Sequence, residues 1–432
     1  MKKIKAIIMG AAGRDFHNYN VYFKNNPLYK VVAFTAFQIP GIVGRKYKNI
    51  SIYPEEQLEK IIKKEGIDEV FFSYSDISYS DLMKKASGVL SAGANFSFLG
   101  AEQTMIKSKK PVIAVTAVRT GCGKSIVSQK IVDYFLEQGI KVGVVRHPMP
   151  YGDLEKQMCQ TFSSLGDLDK HKCTIEEREE YEPYVEKGIT IYAGVDYEQI
   201  LRLAEKKNDV ILWDGGNNDS PFFKPDLWIT IADARRPGHE TAYYPGEVNF
   251  RSADMIVIGK IDKESRGNVK SILKNVEKLN PKAKVVQSNY PLFVDDVKLI
   301  TGKRVLIVED GPSMTHGELP YGAGYRAVKN YKVKNIVDPR PYAQGSLEET
   351  FAKYTDMDKI LPAMGYSKKQ IDELEKTINK AKCDSVVLAT PARIEKFIKI
   401  NKPFTCVRYG FKETGEDNVF EKALDGFLKK NL

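Results

Sequence analysis

The chain contains the segment Thr116-Ala117-Val118-Arg119-Thr120-Gly121-Cys122-Gly123-Lys124-Ser125. An apolar run, Pro111-Val112-Ile113-Ala114-Val115, comes directly before it and predicts a β-strand. An amphipathic pattern through Ile126, Ile131 and Phe135 follows and predicts a helix. A strand, a glycine-rich turn ending in Gly-Lys-Ser, and a helix together predict a phosphate-binding loop.

The residue types in this loop suit a chain of phosphates. Glycines let successive backbone N–H groups converge on an anion, and the helix N-terminus adds the positive end of its dipole. Lys124 is expected to neutralise the β- and γ-phosphates, and the hydroxyl of Ser125 to ligate Mg²⁺. Val118 stands where the usual pattern has its first glycine. The residues predicted to bind a nucleoside triphosphate, ATP or GTP, are Thr120, Gly121, Cys122, Gly123, Lys124 and Ser125.

A second nucleotide signature lies further along the chain. The apolar run Val210-Ile211-Leu212-Trp213 ends at Asp214, which is followed by two glycines. An apolar strand that ends in aspartate is the Walker B arrangement, so Asp214 is predicted to lie near Mg²⁺, directly or through water.

The sequence does not decide whether the bound nucleotide carries adenine or guanine. The tetrapeptide Gly259-Lys260-Ile261-Asp262 follows an apolar strand and occupies the position of the Asn-Lys-x-Asp guanine reader of GTPases. Lys260 and Asp262 are therefore candidate base contacts. Gly259 replaces the asparagine, which weakens a preference for guanine.

Alternating strand and helix patterns predict an α/β protein of three parts. The turn Gly10-Ala11-Ala12-Gly13 after the first strand is not the full Gly-x-Gly-x-x-Gly, and the second strand does not end in an acidic residue. A redox protein with a nicotinamide cofactor is therefore disfavoured. We expect a Rossmann-like doubly wound domain at 1–108, a P-loop NTPase (SIMIBI-like) α/β domain at 109–335, and a small α/β region at 336–432.

The charge, the cysteine spacing and the length of the apolar runs indicate which kinds of partner the protein binds. The chain of 432 residues carries 66 Lys and Arg against 56 Asp and Glu, a net charge of +10, but these basic residues are spread along amphipathic helices. A phosphorylated small molecule is therefore expected as partner, without nucleic acid. The five cysteines show no C-x-x-C spacing, and no apolar run approaches the roughly 18 residues that span a bilayer. A cytoplasmic protein without a membrane partner is expected.

The acidic run at residues 174–181 is expected to be a solvated face.

Four segments together resemble one known family. They are Gly-Ala-Ala-Gly-Arg-Asp-Phe-His-Asn at 10–18, Arg-Thr-Gly-Cys-Gly-Lys-Ser at 119–125, Arg-His-Pro-Met-Pro-Tyr-Gly-Asp at 146–153, and Glu-Asp-Gly-Pro with Thr-His-Gly at 309–317. They resemble the P-loop GTPases often named cyclic 2,3-diphosphoglycerate synthetase-like, over essentially the whole chain. The resemblance implies an Mg²⁺-dependent NTPase that couples ATP or GTP hydrolysis to phosphoryl transfer or ligation on a small anionic substrate. Cyclic 2,3-diphosphoglycerate synthesis from 2,3-bisphosphoglycerate is one such reaction.

That chemistry implies a cationic clamp for the substrate. The candidates are Arg146, His147, Arg236, His239 and His316. The alternative function is a regulatory or chaperone-type GTPase switch that acts on a protein partner.

The phosphate loop is also similar to that of the dethiobiotin synthetase, nitrogenase iron protein and Min ATPase group. In that group a lysine opens the loop and acts across a dimer interface. Arg119 occupies the matching position and is also cationic. The similarity implies a homodimer in which Arg119 stabilises charge in the transition state.

Overall fold

The computed structural model describes residues 2–11, 13–37, 42–147, 157–216, 219–311, 314, 320–364, 367–396, 398–415 and 417–432, except for the side chain of residue 176. Within these residues the chain forms three large sheets and one short two-stranded ladder. Most neighbouring strands are parallel and are connected through helices. This confirms the predicted α/β class.

The first sheet has helices on both faces. The strands of this region are β1 (Ile4–Met9), β2 (Tyr29–Ala36), β3 (Lys46–Tyr47), β4 (Ile50–Pro54), β5 (Glu69–Phe72), β6 (Ile77–Ser78) and β7 (Asn95–Ser97), and all except β6 join one sheet in the order β3-β4-β2-β1-β5-β7. The helices are α1 (Arg14–Asn18), continued by a π-helix over Tyr19–Phe23, α2 (Leu58–Glu65) and α3 (Tyr79–Ser91). In β1, Ile8 belongs to the apolar cluster of Phe16, whereas Ile7 belongs to that of Leu58. Burial on both faces explains why Ala6–Met9 of this strand is a continuous apolar run.

The second sheet contains the phosphate-binding loop. The strands of this region are β8 (Val112–Ala117), β9 (Val142–Arg146), β10 (Gln160–Phe162), β11 (Ile191–Ala193), β12 (Val210–Asp214), β13 (Leu227–Asp233), β14 (Tyr243–Tyr244), β15 (Met255–Gly259) and β16 (Lys284–Asn289). The helices are α4 (Lys124–Glu137), α5 (Leu165–Lys170), α6 (Ile175–Val185), α7 (Tyr197–Glu205), α8 (Gly246–Ser252) and α9 (Val269–Leu279). Strand β8 lies in the interior of the sheet, between β12 and β13.

The third sheet is smaller and mostly parallel. Its strands are β17 (Leu292–Val294), β18 (Arg304–Asp310), β19 (Asn335–Ile336), β20 (Leu361–Ala363), β21 (Ser385–Ala389) and β22 (Phe404–Tyr409). The helices of this region are α10 (Ala323–Lys329), α11 (Ser346–Lys353) and α12 (Lys368–Lys380). The chain then adds β23 (Lys412–Glu413) to the edge of the second sheet and ends with α13 (Val419–Asn431).

The third sheet begins earlier in the chain than the boundary predicted after residue 335. Strands β17 and β18 precede that boundary, yet they pair with β22 and β21 in the third sheet. The last helix also departs from the predicted division, because its apolar residues pack into the core of the second sheet. An apolar strand pattern shows that a strand exists, but it does not show which sheet the strand joins.

A short ladder connects the first and second sheets. Strand β6 from the first region pairs antiparallel with β14 from the second, Tyr243 opposite Ser78. Among the described residues, no helix has the length and apolar content needed to cross a membrane.

We expect Leu424→Ala in α13 to lower the free energy of unfolding by about 2–5 kcal/mol, because it removes a buried side chain and leaves a cavity. Urea unfolding measures this change. Lys429→Ala on an exposed position of the same helix is the control and should change it by less than about 0.5 kcal/mol. Equal effects of the two substitutions would contradict the docking of α13 on the second core.

Candidate functional site

The phosphate-binding loop joins the end of β8 to the start of α4, as predicted. Gly123 has a φ of +103° and precedes Lys124, the first residue of α4. The ring of Tyr290 lies against both Gly123 and Gly259, so a Cβ at Gly123 would lie 2.3 Å from a ring carbon. Glycine is therefore required here by the backbone conformation and by the packing.

The carboxylate of Asp214 lies at the centre of the site. It ends β12, next to β8, and its side chain is fully buried. Lys124 Nζ lies 2.5 Å from Asp214 Oδ1, and Arg146 Nη1 pairs with Asp214 Oδ2. The hydroxyl of Tyr184 donates to the same Oδ2 at 2.7 Å. The structure therefore brings the lysine of the loop, the Walker B aspartate and Arg146 together.

Charge compensation keeps this carboxylate ionised. Burial by itself would raise the pKa of Asp214, but the cations of Arg146 and Lys124 outweigh burial and hold the pKa well below its usual value. Burial lowers the pKa of Lys124, and the charge of Asp214 offsets part of that effect. Lys124, which the sequence predicts to neutralise the γ-phosphate, is thus paired with Asp214 within the chain.

Sequence reasoning missed Glu180 and Tyr184 on α6. Glu180 Oε2 lies 2.5 Å from Arg146 Nη2, so Arg146 connects it to Asp214. The spacing of the two residues by four places them on one helix face, which was the available signal. The expectation that residues 174–181 form a solvated acidic face is wrong, because the side chains of Glu177 and Glu179 are buried.

His147 follows Arg146 at the end of β9. Its ring packs on Gly216, where a Cβ would lie 1.8 Å from a ring carbon. Burial lowers the pKa of His147 to about 4, so the imidazole is neutral at pH 7. A neutral ring supplies hydrogen bonds rather than the positive charge expected of a clamp.

Arg236 and Lys260 meet at Asp233, the last residue of β13. Lys260 Nζ lies 2.9 Å from Asp233 Oδ2, and Arg236 Nη2 lies 3.0 Å from the same oxygen. Both cations also donate to loop carbonyls: Lys260 to Gly121, and Arg236 to Thr120 at 2.8 Å. These two residues support the backbone of the loop.

Asp262 is bound to two arginines. Its Oδ2 pairs with Arg235 and, at 2.9 Å, with Arg326 of α10. Its Oδ1 accepts from the backbone N–H of Ser265 at 2.9 Å. The oxygens that would read guanine are thus engaged within the chain.

Arg119 is nearly buried, with 5% of its side chain exposed. Its Nε lies 2.6 Å from Oδ1 of Asp76, which follows β5 in the first region. Its guanidinium lies 3.8 Å from the ring centroid of Tyr243, and Nη1 lies 3.4 Å from Nδ1 of His239. Burial is the largest cause that lowers the pKa of His239, followed by the positive charges of Arg236 and Arg119.

The last candidate for the substrate clamp, His316, lies outside the described residues.

The residues predicted to hold Mg²⁺ fit that ion. Ser125 lies beside Lys124 in the first turn of α4, and Asp214 supplies a carboxylate. One carboxylate and one hydroxyl suit a Mg²⁺ that is bound mainly by phosphate oxygens and water. Among the described residues no cluster of three or more His, Cys, Asp or Glu could hold a metal ion without such help.

The turn after β1 is occupied by the chain itself. A Cβ on Gly10 would lie 2.6 Å from Oδ2 of Asp15, and Asp15 Oδ1 accepts from the N–H of Phe16 at 2.7 Å. Arg14 donates to Thr104 Oγ1 at 3.1 Å, and His17 stacks on Phe222 at 4.2 Å. The stacking of His17 on Phe222 docks the first region on the second.

No protein-family model matches the chain. The arginine synthetase ArcE of Thermococcus kodakarensis is 56% identical over 430 residues, which cover 97% of this chain and 96% of the relative. The chain belongs to the arginine synthetase ArcE family. Membership in the ArcE family makes it an enzyme of the P-loop synthetase type. Cyclic 2,3-diphosphoglycerate synthetase of Thermococcus sibiricus is 29% identical over 114 residues, 26% of each chain, so this relative matches only part of the chain.

Solved structures resemble this chain with low TM-scores and low sequence identity. LpxK of Aquifex aeolicus in complex with ATP has a TM-score of 0.45 and 12% identity, covering 76% of this chain and 90% of that chain. MinD of Aquifex aeolicus has a TM-score of 0.24 and 19% identity, covering 41% and 80%. Similarity at this level says nothing about what the ArcE-family chain binds.

We expect Tyr184→Phe to lower the free energy of unfolding at pH 7 by about 1.5–3 kcal/mol, because a hydrogen bond to a buried carboxylate is lost. Tyr181→Phe on the same helix is the control, since its hydroxyl contacts the carbonyl of His147 at 3.4 Å and not Asp214. Urea unfolding of both variants measures the difference.

The effect of Tyr184→Phe should depend on pH. The folded pKa of Asp214 is lowered, so its stabilisation is complete above the unfolded value of about 3.9 and is lost as pH falls through the folded pKa. Loss of the Tyr184 hydroxyl raises the folded pKa. The difference from wild type should therefore stay constant across the unfolded value and shrink only at lower pH, as the carboxyl of the folded variant takes up its proton. A difference that already shrinks between pH 7 and pH 5 would contradict this assignment.

Proposed function

We propose that this protein is an Mg²⁺-dependent synthetase that uses ATP to form arginine. The observation that carries the proposal is full-length identity to an arginine synthetase, combined with a buried Lys124–Asp214 pair at a phosphate-binding loop. The first supports arginine as the product, and the second supports this loop as the place where the nucleotide is cleaved.

The chemistry follows from the product. Arginine differs from the ureido amino acid citrulline by a nitrogen in place of the ureido oxygen. The ureido oxygen attacks the γ-phosphorus of ATP, and the bond from that phosphorus to ADP breaks. Ammonia then adds to the activated carbon, and phosphate leaves with the former ureido oxygen; no net proton is released when the product is the guanidinium cation. The sum is citrulline, ATP and ammonia to arginine, ADP and phosphate.

The chain's own residues have separate tasks in this reaction. Lys124 leaves Asp214 for the β- and γ-phosphates, and the loop N–H groups from Gly123 to Ser125 hold them. Asp214 and Ser125 would hold Mg²⁺, which neutralises phosphate charge when bound. Arg146 stays with Asp214 and Glu180 and keeps the carboxylate in place.

The geometry favours this reaction over the cyclisation of 2,3-bisphosphoglycerate. Two of the cations expected to bind the bisphosphate are held by carboxylates, since Arg146 pairs with Asp214 and Arg236 pairs with Asp233. The pairing of Asp262 with Arg235 likewise favours ATP over a guanine-specific switch.

Incubation of the protein with ATP, Mg²⁺, citrulline and ammonium tests the proposal. Chromatography should find arginine and ADP in equal amounts, with neither formed when ammonium is omitted. ADP without arginine, or ADP formation that requires 2,3-bisphosphoglycerate, would overturn it. Use of GTP alone, without an amino-acid product, would support the switch.

Lys124→Ala is expected to lower kcat for ADP formation by about 10²–10³-fold, because a preorganised cation at the transferred phosphate is lost. Lys130→Ala is the matched control on α4, since Lys130 pairs with Glu421 at 2.7 Å and not with Asp214. Steady-state kinetics of both variants measure the change. Similar kcat values for the two would contradict the task given to Lys124.

A further inference from the structure

The loop after β5 brings a carboxylate from the first region to the phosphate-binding loop of the second. Asp76 Oδ1 lies 2.6 Å from Arg119 Nε, and Asp76 Oδ2 accepts from the backbone N–H of Thr120 at 3.2 Å. One side chain thus holds both a cation of the loop and the loop backbone. Side-chain exposures of 5% for Arg119 and 10% for Asp76 show that this pair is shielded from solvent.

The two-stranded ladder of β6 and β14 lies next to the Asp76–Arg119 pair. Asp76 directly precedes β6, and Tyr243, on whose ring Arg119 lies, belongs to β14. These two strands pair with each other, Tyr243 opposite Ser78. The carboxylate and the aromatic ring that orient Arg119 are therefore carried by the two halves of one ladder.

The backbone at Asp76 is shaped for this contact. Its φ of +57° lies in the left-handed region, which Asp and Asn adopt more readily than other side chains. Attachment of the two regions does not rest on this pair alone, because the ladder and a 2.7 Å hydrogen bond from Tyr79 Oη to Glu247 Oε2 also join them.

We propose that Asp76 is a positioning residue that holds Arg119 for charge stabilisation during phosphoryl transfer, so that the first region completes the nucleotide site of the second within one chain. The proposal rests on the proposed function, because it gives Arg119 a task at the transferred phosphate. The interaction with Asp76 takes the place, within a single chain, of the contact across a dimer that sequence similarity implied for Arg119.

Asp76→Asn is the decisive variant. Asparagine keeps the size and tolerates the left-handed backbone, but it has one acceptor oxygen where Asp76 uses two. We expect kcat for ADP formation to fall by about 10²-fold, as a misplaced catalytic group does. The KM for ATP and the Kd for an ATP analogue should change by less than about threefold, because Lys124 and the loop remain.

Two further variants separate positioning from structure. Tyr79→Phe removes a hydrogen bond between the same two regions without touching Arg119, and it should keep wild-type kcat. Arg119→Ala should lose at least as much kcat as Asp76→Asn, and the double variant should lose no more than Arg119→Ala, because Asp76 acts through Arg119.

Additive losses in the double variant, or a kcat for Asp76→Asn equal to that of Tyr79→Phe, would overturn the proposal. So would a loss of ATP affinity that accounts for the whole effect. Full activity of Arg119→Ala would remove the task given to Arg119 itself. Since ADP formation is the readout, a wild-type enzyme that releases ADP without arginine would refute the proposed function and still leave the role of Asp76 decidable.

Discussion

A single buried carboxylate, that of Asp214, determines how the nucleotide site is built. An ionised group without exposure to water is stable only if donors surround it. Lys124 of α4, Arg146 of β9 and Tyr184 of α6 supply those donors. Three elements that are far apart in sequence are thereby held at one point, beside the loop that binds phosphate.

The same carboxylate is neutralised by two cations. Lys124 and Arg146 both pair with Asp214. In the proposed reaction Lys124 moves to the phosphates, and Arg146 then prevents an uncompensated buried charge on Asp214. Glu180 in turn holds Arg146 from the other side. This set of ion pairs would let one cation move while the others stay in place.

Charged side chains also connect the first region to the second. The end of β1 leads into Arg14, which lies over the ring of Phe222, and the end of β5 leads into Asp76, which pairs with Arg119. Ligands of open α/β sheets bind at the carboxyl ends of parallel strands. Here the carboxyl end of one sheet contributes charged groups to the carboxyl end of another, and the ladder of β6 and β14 keeps them in register.

Local pattern was sufficient for the α/β class, the phosphate-binding loop and Asp214. These features depend on residues that are neighbours in the chain: an apolar strand, glycines that free the backbone, and a helix that starts at Lys124. Local pattern was misleading where a partner lay elsewhere. The acidic run in α6 looked solvated because the sequence does not show that Arg146 and a packed core face it.

Long-range contacts decided the remaining features. The candidate cation Arg146 proved to be paired with a carboxylate of another strand, and β18 joined the third sheet. Asp76 has no motif of its own, and its interaction with Arg119 exists only because two sheets pack against each other. Turns and strands follow from adjacent residues, since backbone geometry is local. The pairing of buried charges follows from which elements share a low-dielectric interior, and that is settled only when the chain has folded.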